Sequence, residues 1–192
     1  WLNDNIINEY IKVLVEEEKA KVGWVKKDGD APPVHAFGSQ WWVTAQGGMN
    51  KVARWSRRVN LDGRKLLNAN LVLFPVCSGA HWTLIAIRPR ARTIQYLDSL
   101  SRNARGSEPK VETAKAWLKM ELGAGYVEEE WRVETGGSCQ QLNGSDCGVF
   151  TCMNALALIR GQEPKGSIEA DNGMLEARRQ IAATLLSGAS NG

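Results

Sequence analysis

From Cys147 to Ile159 the chain runs through thirteen residues without a charge, and only Thr151 and Asn154 interrupt its apolar character. That run predicts a helix, and a helix with no polar face belongs in the middle of a fold. The residues leading into it are Gln141-Leu142-Asn143-Gly144-Ser145-Asp146-Cys147-Gly148, so the helix opens on a thiol. Asp146 is expected as its N-cap, a short polar side chain just ahead of the first helical residue.

Three strands are predicted upstream. Asn70-Leu71-Val72-Leu73-Phe74-Pro75-Val76 reads as a buried strand. His81-Trp82-Thr83-Leu84-Ile85-Ala86-Ile87 and Thr93-Ile94-Gln95-Tyr96-Leu97-Asp98 read as two more, rich in β-branched and aromatic residues. Between the last two, Arg88-Pro89-Arg90-Ala91 suits a tight turn with proline at its second place. A hairpin centred between Pro89 and Arg90 puts His81 directly opposite Asp98, with Cβ atoms about 4.5–5.5 Å apart. Residues 4–18 read as an amphipathic helix carrying Ile6, Ile7, Tyr10, Ile11 and Leu14 on one face, with Asn3 or Asp4 as N-cap. Residues 52–59 read as a short basic helix. Residues 111–122 read as a helix with Trp117 and Leu118 inward, ended by Gly123 and Gly125. Residues 174–186 read as a last amphipathic helix. Residues 37–49 are expected as a helix or turn, 126–134 as an edge strand, 26–33 as a loop and 187–192 as a frayed tail.

At 192 residues the chain is expected to form a single domain over 1–192. A net charge of +3 is too mild to argue for nucleic acid, and no basic stripe is interleaved with aromatics. The surface around Arg54, Arg57 and Arg58 is expected to be a solvated helix face. Eight tryptophans point mainly to packing, with recognition as the other use. Cys77, Cys139, Cys147 and Cys152 form no CxxC pair, and neither His35 nor His81 has metal-ligand spacing to them. A reducing compartment, nuclear or cytoplasmic, is therefore expected. No stretch reaches the roughly 18 apolar residues of a membrane span, and no signal peptide is seen. Because the chain begins at Trp1, it is expected to be a piece of something longer, and a monomer by default.

A thiol at a helix N-terminus, a histidine and a carboxylate are the parts of a cysteine nucleophile with its base and orienter. Cys147 would attack as the thiolate, which the positive end of the helix dipole favours. His81 would be the base, and Asp98 would hold its tautomer. Gln141, six residues before the thiol, could aim its amide at a developing oxyanion beside the Cys147 backbone N–H. Gly148 would leave room for a substrate backbone, and Gly144 would let the loop turn. Each residue alone has a bland reading: a small core cysteine, a strand histidine, a turn aspartate. Together they point to a thiol protease.

Four blocks extend that reading: Trp1-Leu2-Asn3-Asp4 opening a helix, Val52-Ala53-Arg54-Trp55, His81-Trp82 with Tyr96-Leu97-Asp98-Ser99-Leu100, and Gln140 through Gly148. In this order they resemble the SUMO-specific cysteine proteases of the Ulp/SENP family. The resemblance implies an α+β, papain-like cysteine protease fold with a mixed central sheet flanked by helices. It implies His81, Asp98, Cys147 and Gln141 as catalytic residues and no metal or cofactor. It gives Trp1 and Trp82 as the roof of a narrow tunnel over the modifier's C-terminal Gly-Gly, where flat indoles admit a backbone without Cβ. It gives Asp4 as a partner for a basic residue of the modifier. The implied reaction is hydrolysis after Gly-Gly, in SUMO precursors or at isopeptide bonds to substrate lysines. A NEDD8 protease, a cysteine-dependent acyltransferase and a non-catalytic modifier-binding module are the rival readings.

Overall fold

A computed structural model describes residues 1–27, 29–101, 105–165 and 173–188. Parts of the expected 26–33 loop and of the 187–192 tail lie outside these residues. The chain opens with α1 (Asp4–Lys21), capped by Asn3, whose side chain accepts from the Ile6 N–H at 3.0 Å. Then come β1 (Val34–Ala36), α2 (Gln40–Gln46) and α3 (Ala53–Arg58). Three strands follow: β2 (Leu71–Ser78), β3 (His81–Arg88) and β4 (Thr93–Leu97). The chain continues through α4 (Glu108–Leu122), β5 (Arg132–Thr135), α5 (Cys147–Ile159) and α6 (Gly173–Gly188).

The strands form one mixed sheet in the order β1-β2-β3-β4-β5. The outer pairs β1–β2 and β4–β5 are parallel, and the inner pairs are antiparallel. Alternation along β2, β3 and β4 splits the core in two. Leu71, Leu73, Trp82, Leu84, Ala86 and Leu97 face α1, α5 and α6. Val72, Phe74, Val76, Ile85, Ile87, Ile94 and Tyr96 face α2 and α4. On that second face Phe74 receives Phe37 and Trp117 at ring distances of 5.1 Å and Trp41 at 4.5 Å. The buried Trp117 indole donates to Ser56 Oγ at 3.2 Å, which satisfies its one polar atom. Every residue of α5 is buried, as its uniform composition demands. Among the described residues no helix is long and apolar enough to cross a membrane, and no disulfide joins the four cysteines.

Two expectations about the strands are corrected. The β3–β4 pairing runs from Leu84↔Leu97 to Arg88↔Thr93, so the turn holds the four residues 89–92. Arg92 takes the left-handed conformation at φ 52, and the Ala91 N–H closes onto the Arg88 carbonyl at 3.1 Å. His81 is therefore displaced by two residues from the position opposite Asp98. A shift of one would have sent the two side chains to opposite faces; a shift of two keeps them on one face as diagonal neighbours. The expected strand at 126–134 is shorter and later, at β5, and β1 was not expected at all. At the C-terminus, Ser187 and Gly188 continue α6 rather than fray.

Candidate active site

His81 begins β3, and Asp98 follows the last residue of β4, so both stand at the same end of the sheet. The diagonal is closed by a hydrogen bond of 2.7 Å from His81 Nε2 to Asp98 Oδ1. Asp98 is also fixed from two other directions. The Leu100 N–H donates to Oδ1 and the Tyr96 hydroxyl to Oδ2, each at 2.8 Å. Burial by itself would raise the carboxyl; the bonds from His81, Leu100 and Tyr96 outweigh it and hold Asp98 below the usual carboxylate range. The same burial and the bond to Asp98 push the Tyr96 phenol up, so it remains a donor.

With an ionised Asp98 as acceptor, the His81 proton sits on Nε2 and Nδ1 carries the lone pair. Nδ1 is buried and has no hydrogen-bond partner among the described residues. A buried polar atom left in this state is costly, and a catalytic role is one account of it.

Cys147 is the first residue of α5 and is 5 % exposed. It packs in the core cluster that also contains Trp82, the residue after His81. Helix α5, which opens on the thiol, packs against β3, the strand that begins at His81. Cys152, five residues on, is fully buried in the helix body, where desolvation pushes its thiol up.

Gln141 is tied to the carboxylate's own strand end. Its N–H donates to the Ser99 carbonyl at 2.8 Å, and its Oε1 accepts from Ser99 Oγ at 2.6 Å. One hydrogen of its side-chain amide goes to the Asn143 carbonyl at 2.5 Å; the amide has a second. Gln140 adds a bond to the Asp98 carbonyl at 3.1 Å. The loop 141–146 is organised by Asn143, whose Oδ1 accepts from the Ser145 and Asp146 N–H groups at 2.9 and 3.1 Å.

Two sequence readings change here. Asp146 occupies the N-cap position but makes no side-chain cap; its carboxylate is taken by Asn143 and Arg178. Gly148 lies tight against α1: a Cβ there would stand 3.1 Å from both Ile7 Cδ1 and Leu2 Cβ, on α1 and just before it.

Of the expected substrate-contact residues, Asp4 is exposed at the head of α1 and Trp1 is 76 % exposed. Trp82 is nearly buried, at 7 %, and is paired across the strands with Cys77. Leu142, beside Gln141, is an apolar side chain 97 % exposed. Sequence reasoning gave no role to Tyr96, Ser99 or Arg178. Tyr96 was within reach of it, since a residue two before Asp98 on a strand shares its face. Arg178 had no local signal.

The pattern of the Ulp1 protease family, C-terminal catalytic domain, matches residues 1–187. Mouse Sentrin-specific protease 2 is 34 % identical over 165 residues, which cover 83 % of this chain and 26 % of that protein. The chain thus spans about a quarter of the length of that relative. The structure of the Chaetomium thermophilum Ulp1-like SUMO protease catalytic domain superposes with a TM-score of 0.88 at 35 % identity, covering 98 % of this chain and 73 % of that one. The yeast Ulp1 C-terminal protease domain, solved in complex with Smt3, the yeast ortholog of SUMO, superposes at 0.77 with 26 % identity, covering 98 % and 78 %. With its sheet, its His81–Asp98 pair and its helix opening on Cys147, the chain belongs to the Ulp1 protease family and matches its C-terminal catalytic domain.

Proposed function

We propose that this chain is a cysteine endopeptidase and isopeptidase that hydrolyses the bond after the C-terminal Gly-Gly of SUMO, in precursors and in conjugates to substrate lysines. The observation that carries the chemistry is the His81 ring, with Nε2 fixed by Asp98 and Nδ1 buried without a partner among the described residues. Family membership and the Smt3 complex of the yeast relative support the substrate.

In this reading His81 Nδ1 takes the proton of the Cys147 thiol, and the thiolate attacks the glycine carbonyl. Asp98 stays ionised and stabilises the imidazolium. The Cys147 backbone N–H and the second amide hydrogen of Gln141 receive the oxyanion. His81 returns its proton to the leaving amine, and water then releases the thioester. None of these steps calls on a metal or cofactor. Trp1 and Trp82 flank the passage for Gly-Gly, Asp4 meets a basic residue of the modifier, and docking of the folded modifier supplies much of the specificity. A free Cys147 thiol is consistent with a reducing nuclear or cytoplasmic compartment.

The test is cleavage of SUMO with a short C-terminal extension and of a SUMO–lysine isopeptide, beside matched NEDD8 substrates. Both SUMO substrates should be cut by the wild type and left intact by Cys147→Ser, which should still bind SUMO. Cutting of NEDD8 alone would overturn the substrate. Binding without cleavage by the wild type would leave a modifier-binding module, and turnover only with an acyl-coenzyme A would make the chain an acyltransferase.

A further inference from the structure

The last helix reaches the nucleophile's loop through one side chain. Arg178 of α6 donates from Nη2 to Asp146 Oδ1 at 2.5 Å, and Asn143 Nδ2 donates to Oδ2 at 2.7 Å. The Asp146 side chain is 10 % exposed and that of Arg178 35 %, so the pair is weakly screened by solvent. Burial by itself would raise the Asp146 carboxyl; the bonds from Asn143 and Arg178 outweigh it and keep the group ionised.

Asp146 stands where an aspartate ordinarily turns its carboxylate onto the first N–H groups of the helix. It makes no such bond here, because both oxygens are held elsewhere. Two consequences follow at Cys147. The first-turn N–H groups of α5 are not taken by the Asp146 carboxylate and remain available to negative charge that forms there. The carboxylate one residue before the thiol, which would oppose a thiolate, is neutralised by the guanidinium.

We propose that Arg178 is a positioning residue for the nucleophile: it draws the Asp146 carboxylate off the head of α5 and cancels its charge, keeping that helix end open to the Cys147 anion. The proposal rests on the reading of Cys147 as nucleophile. It places a residue of the terminal helix, 32 positions from Asp146, in the working of the site.

Other charged and titratable groups surround the same end of the molecule. His81 enters from β3 with Asp98 behind it. Cys77 of β2 lies within electrostatic reach of Cys147 and of Asp4 on α1. These are common to every variant below, so differences between variants isolate the Arg178–Asp146 pair.

The test is the rate of Cys147 alkylation by iodoacetamide as a function of pH, read by mass on the Cys147 peptide of the full chain, with melting to verify folding. Arg178→Met should move the midpoint of the rate profile upward by about one pH unit, which is about tenfold less thiolate below the midpoint. Arg178→Lys should recover most of that loss, since it restores the charge but not the planar fork. In an Asp146→Asn background, Arg178→Met should leave the midpoint unmoved. This comparison also serves if the single Met variant does not fold. An unchanged midpoint in Arg178→Met, or an equal shift with and without the Asp146 carboxylate, overturns the proposal. If Cys147 in the wild type reacts no faster than an ordinary thiol at any pH, the nucleophile reading fails and this proposal falls with it. That outcome is told apart because it already shows in the unmodified protein.

Discussion

Asp98 does three jobs with two oxygens: it orients His81, accepts the Leu100 N–H and holds the Tyr96 hydroxyl. Asp98→Asn keeps the shape but puts an N–H where one acceptor stood, so kcat should fall by about 10²–10⁴-fold while SUMO binding is retained. Stability should change with a definite sign. A carboxyl held below its unfolded value contributes stability that is full above about pH 3.9 and is lost as pH falls through the lower folded value. The gap in denaturant midpoint between wild type and Asp98→Asn should therefore shrink below about pH 4; a gap constant from pH 7 to 3 would contradict it. Tyr96→Phe removes one of three donors without removing the acceptor and should cost about 1 kcal/mol in chemical denaturation. At this scale the thiol at the head of α5 and the His81–Asp98 pair were legible. A thiol at the head of an apolar helix, and a histidine and an aspartate on neighbouring strands, are local patterns. The role of Asp146 was misread because the N-cap rule is local, and the side chain that overrides it arrives from another helix.

Among the elements, α5 was read to the residue because its apolar run has abrupt ends, Asp146 before and Arg160 after. Its packing was not legible. Gly148 lets α1 approach to within contact, so Gly148→Ala should force Ile7 and Leu2 to move and destabilise by about 1–3 kcal/mol, measured by urea denaturation. The β3–β4 hairpin was read with the right strands and a register two residues off, because a sequence shows that a turn exists more clearly than how many residues it holds. β1 escaped notice because three residues carry too little alternation to stand out. It nevertheless carries a titratable group. His35 packs edge-on against Phe37 at 4.6 Å, and burial first, then Lys19, pushes its imidazole down to about 3. The unfolded chain takes up that proton near pH 6.5 and the folded one near 3. Between those values stability should fall as pH falls, and His35→Gln should flatten that slope. An unaltered slope in His35→Gln would contradict the assignment.

For the molecule as a whole, the sequence supports helices around a sheet but not the sheet's order. Parallel pairing of β1 with β2 and of β4 with β5 joins segments separated by long connections, and nothing local records such partners. The proposed site would thus draw on the start of β3, the end of β4, the head of α5 and, through Arg178, α6. The resemblance carried by short motifs was therefore more informative about the whole molecule than periodicity was. The most direct measurement is to mix the protein with SUMO, and separately with NEDD8, each bearing a C-terminal electrophile in place of the last glycine carboxylate, and to weigh the products. A one-to-one SUMO adduct that maps to Cys147 and is lost in Cys147→Ser is the predicted result. No adduct with SUMO from folded protein, or an adduct on another cysteine, would contradict the account.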